Sequence, residues 1–289
     1  MPLPVVVGID GSVSSLRAVD WAADEAARDG ARLRLVHASL WDSYEPDPTD
    51  SPELARARRD VAELVATATG RASGRRPGIE VRAEVLPEAP VAALLGAAPE
   101  ASLLVLGSRG LGGFTGLLLG SVSLQTAARA TCPVVVVRGE EDAVERRHGR
   151  IVLGVGDPAS CGPAAAFAFD RAEVWGARLD AVHAWRPTPD PLLLYGPAMS
   201  AVVDGAYLRA KQLLEAAVAD ATAAHPGVRL GLEPRQGARH AALLEAAADA
   251  DLLVVGAHRR GGRPGLQLGP VNHAVLHHAP CPVAVVPLD

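Results

Sequence analysis

The chain repeats itself, and that constrains its fold more than any other feature. Gly-Ala-Arg-Leu-x-x-Val-His-Ala runs from Gly30 to Ala38 and again from Gly176 to Ala184, 146 residues on. Leu-Leu-Val-x-Gly at Leu103 to Gly107 returns at Leu252 to Gly256, and Cys132-Pro133-Val134 returns at Cys281-Pro282-Val283, both 149 residues on. Three matches in one order, drifting by no more than a small loop, mark a tandem duplication. The 289 residues are therefore read as two ordinary domains. The first spans residues 1–139 and the second 150–289. Residues 140–149, rich in charge and bounded by glycine, read as a solvated connector.

Within the first half the hydrophobic pattern alternates between strands and helices. Strands are expected at Val5 to Ile9, Leu33 to Ala38, Ile79 to Val85, Leu103 to Leu106 and Val134 to Val137. Between them lie helical repeats. One starts at Ser12 or Ser14 and carries Leu16, Val19, Ala23 and Ala26 on one side. A second starts at Ser51-Pro52, after a Pro- and Asp-rich loop, a third spans Ala89 to Ala98, and a fourth runs from Gly120 to Ala130. This order predicts an α/β fold with a parallel, doubly wound sheet in each half. Ligands of such sheets bind beyond the carboxyl ends of the strands, where the strand order reverses.

The chemistry concentrates after the fourth strand, in Gly107-x2-Gly110-x9-Gly120-Ser121. Glycines let backbone N–H groups approach a ligand closely. The loop ends at a helix start, whose free N–H groups and positive dipole end favour an anion, above all phosphate. It is not a Walker A loop, because the only lysine is Lys211. The spacing resembles the ATP-binding signature of the universal stress protein family at every fixed position. That resemblance implies the strand order 3-2-1-4-5, which sets Asp10 at the end of strand one beside Gly107 at the end of strand four. It also implies an ATP site with adenine and ribose contacts at Asp10, Ala38 and Leu106, with Ile9 and Ser12 beside them. The phosphates would lie on the N–H groups of Arg109, Gly110, Ser121 and Val122, above the turn of Gly107 and Gly120. The hydroxyls of Ser121 and Ser123 would reach phosphate oxygens, and Arg109 would neutralise charge. Asp10 would hold the ribose or help hold Mg²⁺. Taken singly, Asp10, Ser12 and Ser121 equally suit helix capping, and His37 suits a self-satisfied strand end.

The second half departs from the motif. Gly156 stands where Asp10 does, with Asp157 one residue late; Arg259 stands for Gly110 and Pro270 for Ser121. Proline opens a helix well but has no N–H to give a phosphate. The expectation is an intact first site and a structural or weakened second one. Gly154-Val155-Gly156-Asp157-Pro158-Ala159 also fits a dinucleotide fingerprint, but it is the altered partner of Gly8-Ile9-Asp10, and Asp180 falls inside a strand rather than at its end. His273 and His277 stand at metal-ligand spacing without an evident third ligand, and they equally suit the dipole at a helix end. The loop Pro187 to Pro197, with Tyr195 in it and Trp185 just before it, reads as a cover or a free loop.

Composition excludes several classes. Aromatics are 3% of residues and the net charge is -5, which disfavours stacked or electrostatic binding of nucleic acid. No apolar run nears the roughly 18 residues of a membrane span. Three cysteines without CxxC spacing or a leader suggest reduced thiols and a cytoplasmic protein. The resulting expectation is a nucleotide-dependent regulator of the stress-response kind, at most a slow ATPase. The alternatives are a nucleotide-free interaction scaffold and an enzyme of the wider adenine-nucleotide hydrolase-like group. The resemblance further implies that Val134–Val137 and Val283–Val286 pair as an intramolecular pseudo-dimer, with a homodimer left open.

Overall fold

The computed structural model describes residues 2–40, 52–110, 119–187, 197–258 and 268–288. The proline- and aspartate-rich loop, Ser51, the tip of the glycine loop, Tyr195 with most of its loop, and Arg259 lie outside the described residues. The chain divides into two compact units between Arg138 and Gly139.

In the first unit, β1 (Val5–Gly8), β2 (Leu33–Ala38), β3 (Val81–Leu86), β4 (Leu103–Gly107) and β5 (Val134–Val137) form a parallel sheet in the order β3-β2-β1-β4-β5. Val5 is opposite Leu33 on one side and Leu103 on the other, so β1 and β4 are neighbours. Strands one, four and five are runs of valine and leucine because helices cover both of their faces, as parallel sheets require. Val5, Val6, Val7, Leu104 and Val135 are fully buried, each contributing about 1.5–3 kcal/mol. The edge strand β3 has no buried residue and carries two charges, Arg82 and Glu84, among apolar side chains. Ile9 lies past the end of β1, yet its N–H still donates to the Val36 carbonyl at 2.9 Å.

The helices are Val13–Asp29, Pro52–Arg75, Pro90–Ala97 and Ser121–Arg129. The first is capped by Ser12, whose hydroxyl accepts from the Ser15 N–H at 3.1 Å. The second is clamped onto it by arginines. Arg71 grips Asp20 through two bonds of 2.8 and 2.6 Å, and Arg75 and Arg76 share the buried carboxylate of Asp24.

The second unit repeats the plan. Strands β6 (Arg150–Gly154), β7 (Arg178–Trp185), β8 (Leu230–Gln236), β9 (Leu252–Ala257) and β10 (Val283–Pro287) lie in the order β8-β7-β6-β9-β10. The helices are Gly162–Trp175, Pro197–Ala224, Arg239–Ala246 and Pro270–His278. Asp180, inside β7 and 1% exposed, receives Arg150 at 2.6 Å and Arg178 at 2.7 Å. Where the sequence suggests a solvated connector, residues Glu141–Val144 form a helical turn that buries Ala143 and Val144. Gly139 has φ 84°, and the space a side chain would need there is taken by the Pro280 carbonyl, which also accepts the Glu140 N–H at 2.9 Å. The Asp251 carboxylate then accepts the N–H groups of His148 and Arg150 at 3.0 and 3.1 Å.

Candidate functional site

At the carboxyl ends of β1, β2 and β4 the first unit encloses a cavity of 490 Å³. Three of its walls follow from the sheet order. Strand one supplies Gly8, Ile9 and Asp10; strand two supplies Val36, His37 and Ala38; strand four supplies Leu106 and Gly107, followed by Arg109 and Gly110. The start of the helix Ser121–Arg129 adds Gly120, Ser121, Val122 and Ser123. Of the twelve residues expected at the site, eleven line this cavity. The twelfth, Ser12, lies behind the wall: besides capping its helix, its hydroxyl donates to the Arg109 carbonyl at 3.2 Å. It therefore ties the turn after β1 to the glycine loop.

The loop is packed too closely for side chains at Gly107 and Gly110, whereas Gly120 has ordinary clearance. A Cβ on Gly107 would sit 2.6 Å from the Ser14 carbonyl carbon, and one on Gly110 would strike the Asp10 carboxylate. Asp10 itself is held in place, with Oδ1 accepting the Ser12 N–H at 3.0 Å. Arg109 is exposed, and its guanidinium has no hydrogen-bond or ion-pair partner among the described residues. The helix start at Gly120 has no side-chain cap, so no capping side chain among the described residues meets the N–H groups of its first turn. Ser121 is exposed there.

One polar side chain differs from its expected use. Ser123 is 6% exposed and its hydroxyl donates to the Gly107 carbonyl at 2.6 Å. Its proton is thus spent on joining the helix to β4 rather than offered to a phosphate. His37 places Nδ1 2.9 Å from the Ile9 carbonyl, the self-satisfied arrangement that the sequence left open. Residues not singled out beforehand complete the apolar wall: Pro90 and Leu94 on the helix Pro90–Ala97, together with Leu119. Pro90 and Leu94 have the four-residue spacing of one helix face, but nothing in that spacing points it toward the glycine loop.

The corresponding cavity of the second unit is 160 Å³. Its frame is the same: His183 Nδ1 lies 2.9 Å from the Val155 carbonyl, and Asn272 Nδ2 donates to the Gly256 carbonyl at 2.8 Å. Its lining is different. Gly156 replaces the carboxylate of Asp10, Arg239 stands where Pro90 does, and Leu288 packs across Gly256. Asp157 lines the rim but accepts the Ala159 N–H at 3.2 Å, closing a turn. Pro270 opens its helix after Gly269, again without a side-chain cap. His273 and His277 lie with ring centroids 4.5 Å apart, nearly parallel, and no group of three metal-ligating side chains occurs among the described residues.

These features have known counterparts. The sequence model of the universal stress protein family matches residues 1–138 and again residues 148–287, and the chain belongs to that family. It is 36% identical to the universal stress protein Rv2005c of Mycobacterium tuberculosis, covering 97% of this chain and 96% of that one. A universal stress protein of Mycolicibacterium smegmatis is 33% identical over 98% and 96% of the two chains. Among solved structures, a universal stress protein from Archaeoglobus fulgidus superposes with a TM-score of 0.69 at 17% identity, covering 99% of this chain and 98% of that one. That last likeness is one of fold.

Proposed function

We propose that the first half binds one adenine nucleotide, ATP in the leading reading, and that the protein is a nucleotide-dependent regulator. One observation carries this: around a single cavity converge an unpaired arginine (Arg109), a glycine turn, an uncapped helix start and a fixed carboxylate (Asp10). The apolar side formed by Val36, Leu94, Leu106 and Leu119 suits the base. The helix start and Arg109 suit the phosphates, and Asp10 suits the ribose hydroxyls. A Mg²⁺ ion arriving with the nucleotide would meet one carboxylate among the described lining residues, Asp10, so phosphate oxygens and water would hold most of it. Binding rather than turnover is the reading, with slow hydrolysis as the upper bound. Residues 1–139 form the binding domain and residues 150–289 a relative that does not take the nucleotide.

The experiment is calorimetric titration of the full chain with Mg-ATP, alongside analysis of nucleotide released on denaturation. The expected stoichiometry is one per chain. At a hundredfold excess over Kd the ligand should add about 2.7 kcal/mol to folded stability. Gly110→Val, which would drive a side chain into Asp10, should weaken binding about a hundredfold or more. No thermal shift at millimolar ATP would leave the scaffold reading standing; two equivalent sites would overturn the assignment of the second half.

A further inference from the structure

We propose that the cavity of the second half is a binding site for a small organic anion, a carboxylate on a short aliphatic body. This goes beyond the nucleotide reading and does not depend on it. Three replacements define the change. The first removes the acceptor for a sugar: Gly156 stands at the place of Asp10, and a Cβ built on it meets nothing within 4 Å, so open space replaces a carboxylate. The second shortens the cavity. Leu288 reaches over Gly256, with a methyl 2.7 Å from where a Cβ would be, and the volume is 160 Å³ against 490 Å³ in the first half. That is too little for a nucleoside and lies below the roughly 300 Å³ at which drug-sized sites begin, but it accommodates a molecule of a few carbons.

The third replacement supplies the charge. Arg239 opens the helix Arg239–Ala246 at the cavity wall, in the place held by Pro90 in the first half. Its guanidinium has no hydrogen-bond or ion-pair partner among the described residues. The acid in the lining, Asp157, is turned to the Ala159 N–H, and His258 directs Nε2 to the Ser160 hydroxyl at 3.1 Å. The free guanidinium is a planar fork that matches a carboxylate with two parallel bonds. Phosphate is the poorer fit, because Pro270 withdraws an N–H from the helix start that would otherwise receive it. Val155, Val182, Leu243, Val255 and Leu288 offer the aliphatic body an apolar seat.

The probe is hexanoate, with hexan-1-ol and hexylamine as neutral and cationic counterparts, added to the full chain and followed through the methyl resonances of Leu243, Val271 and Leu288. Hexanoate should shift these resonances saturably, hexan-1-ol more weakly, and hexylamine not at all. Arg239→Gln should weaken hexanoate about tenfold or more, while Gly156→Leu, which fills the cavity and leaves the charge in place, should abolish the shifts. Mg-ATP should leave the three residues unmoved. The inference fails if hexanoate gives no saturable shift at millimolar concentration, if the alcohol binds as well as the acid, if Arg239→Gln changes nothing, or if ATP displaces hexanoate.

Discussion

The two halves share a skeleton and differ in what they hold toward the cavity. In both, a histidine at the end of the second strand meets a carbonyl of the first, His37 on Ile9 and His183 on Val155. In both, the third residue of the helix after the fourth strand donates to the last glycine of that strand. One half uses a serine hydroxyl and the other an asparagine amide. Groups that tie backbone to backbone have therefore kept their bond even where the residue changed. Groups that face the cavity (Asp10 against Gly156, Pro90 against Arg239) have changed their chemistry altogether. Duplication let the walls diverge while the joints stayed under constraint, because an unmade buried hydrogen bond costs about 1–3 kcal/mol wherever it occurs.

The comparison extends to electrostatics, and there it is most easily broken. At equivalent places in the second strand, Arg34 of the first half pairs with the half-exposed Glu84, whereas Asp180 of the second is buried between Arg150 and Arg178. Asp180→Asn should destabilise the second unit by about 3 kcal/mol, since the buried site loses its charge between two arginines and Glu233, 3.4 Å from Arg150, compensates only in part. Arg34→Gln should cost the first unit about 1 kcal/mol or less. Urea unfolding of the two variants decides this, and equal losses would end the distinction between a buried and a peripheral network.

A smaller effect should be shared by the halves. Burial pushes the thiols of Cys132 and Cys161 up to about 11 from an ordinary 9.0. The unfolded chain therefore loses these protons first. The stability each thiol protects is fully present below pH 9 and falls as pH rises toward 11, by up to about 2.7 kcal/mol per group. Unfolding followed from pH 8 to 11 should show that loss, reduced by Cys132→Ala and by Cys161→Ala alike. A native thiolate absorbance appearing below pH 9 would contradict it.

A last comparison tests the joints directly. Ser123→Ala should weaken ATP about tenfold, near 1.4 kcal/mol, by loosening the helix start from β4. Ser123→Asn, borrowing the second half's solution, should restore most of the affinity. Adenosine, which lacks phosphates, should bind all three proteins alike. If the asparagine variant is as weak as the alanine one, the hydroxyl is needed at the ligand and the equivalence of the two joints is lost.

Much of this was legible in the sequence because it depends on local spacing. Buried parallel strands appear as runs such as Val5 to Val7 and Val134 to Val137, and the glycine spacing survives as a pattern whatever surrounds it. Directions of side chains were less legible. Ser121 and Ser123 look alike in sequence, yet helix phase turns one to solvent and the other to the Gly107 carbonyl. Contacts between distant segments were hidden too: Pro90, Leu94 and Arg239 reach their cavities only because the helix after the third strand folds over the sheet. The turn Glu141–Val144 has no signature in the sequence because two apolar residues, Ala143 and Val144, are too few to set a period.

That turn has a practical side. From Gly139 to Arg150 the polypeptide is fastened at the Pro280 carbonyl and at Asp251, both far along the sequence. A recombinant fragment beginning at Arg150 would discard these fastenings and leave the Asp251 carboxylate short of the His148 N–H. One beginning at Gly139 would retain them, so severing the gene after Arg138 should yield the sturdier second piece.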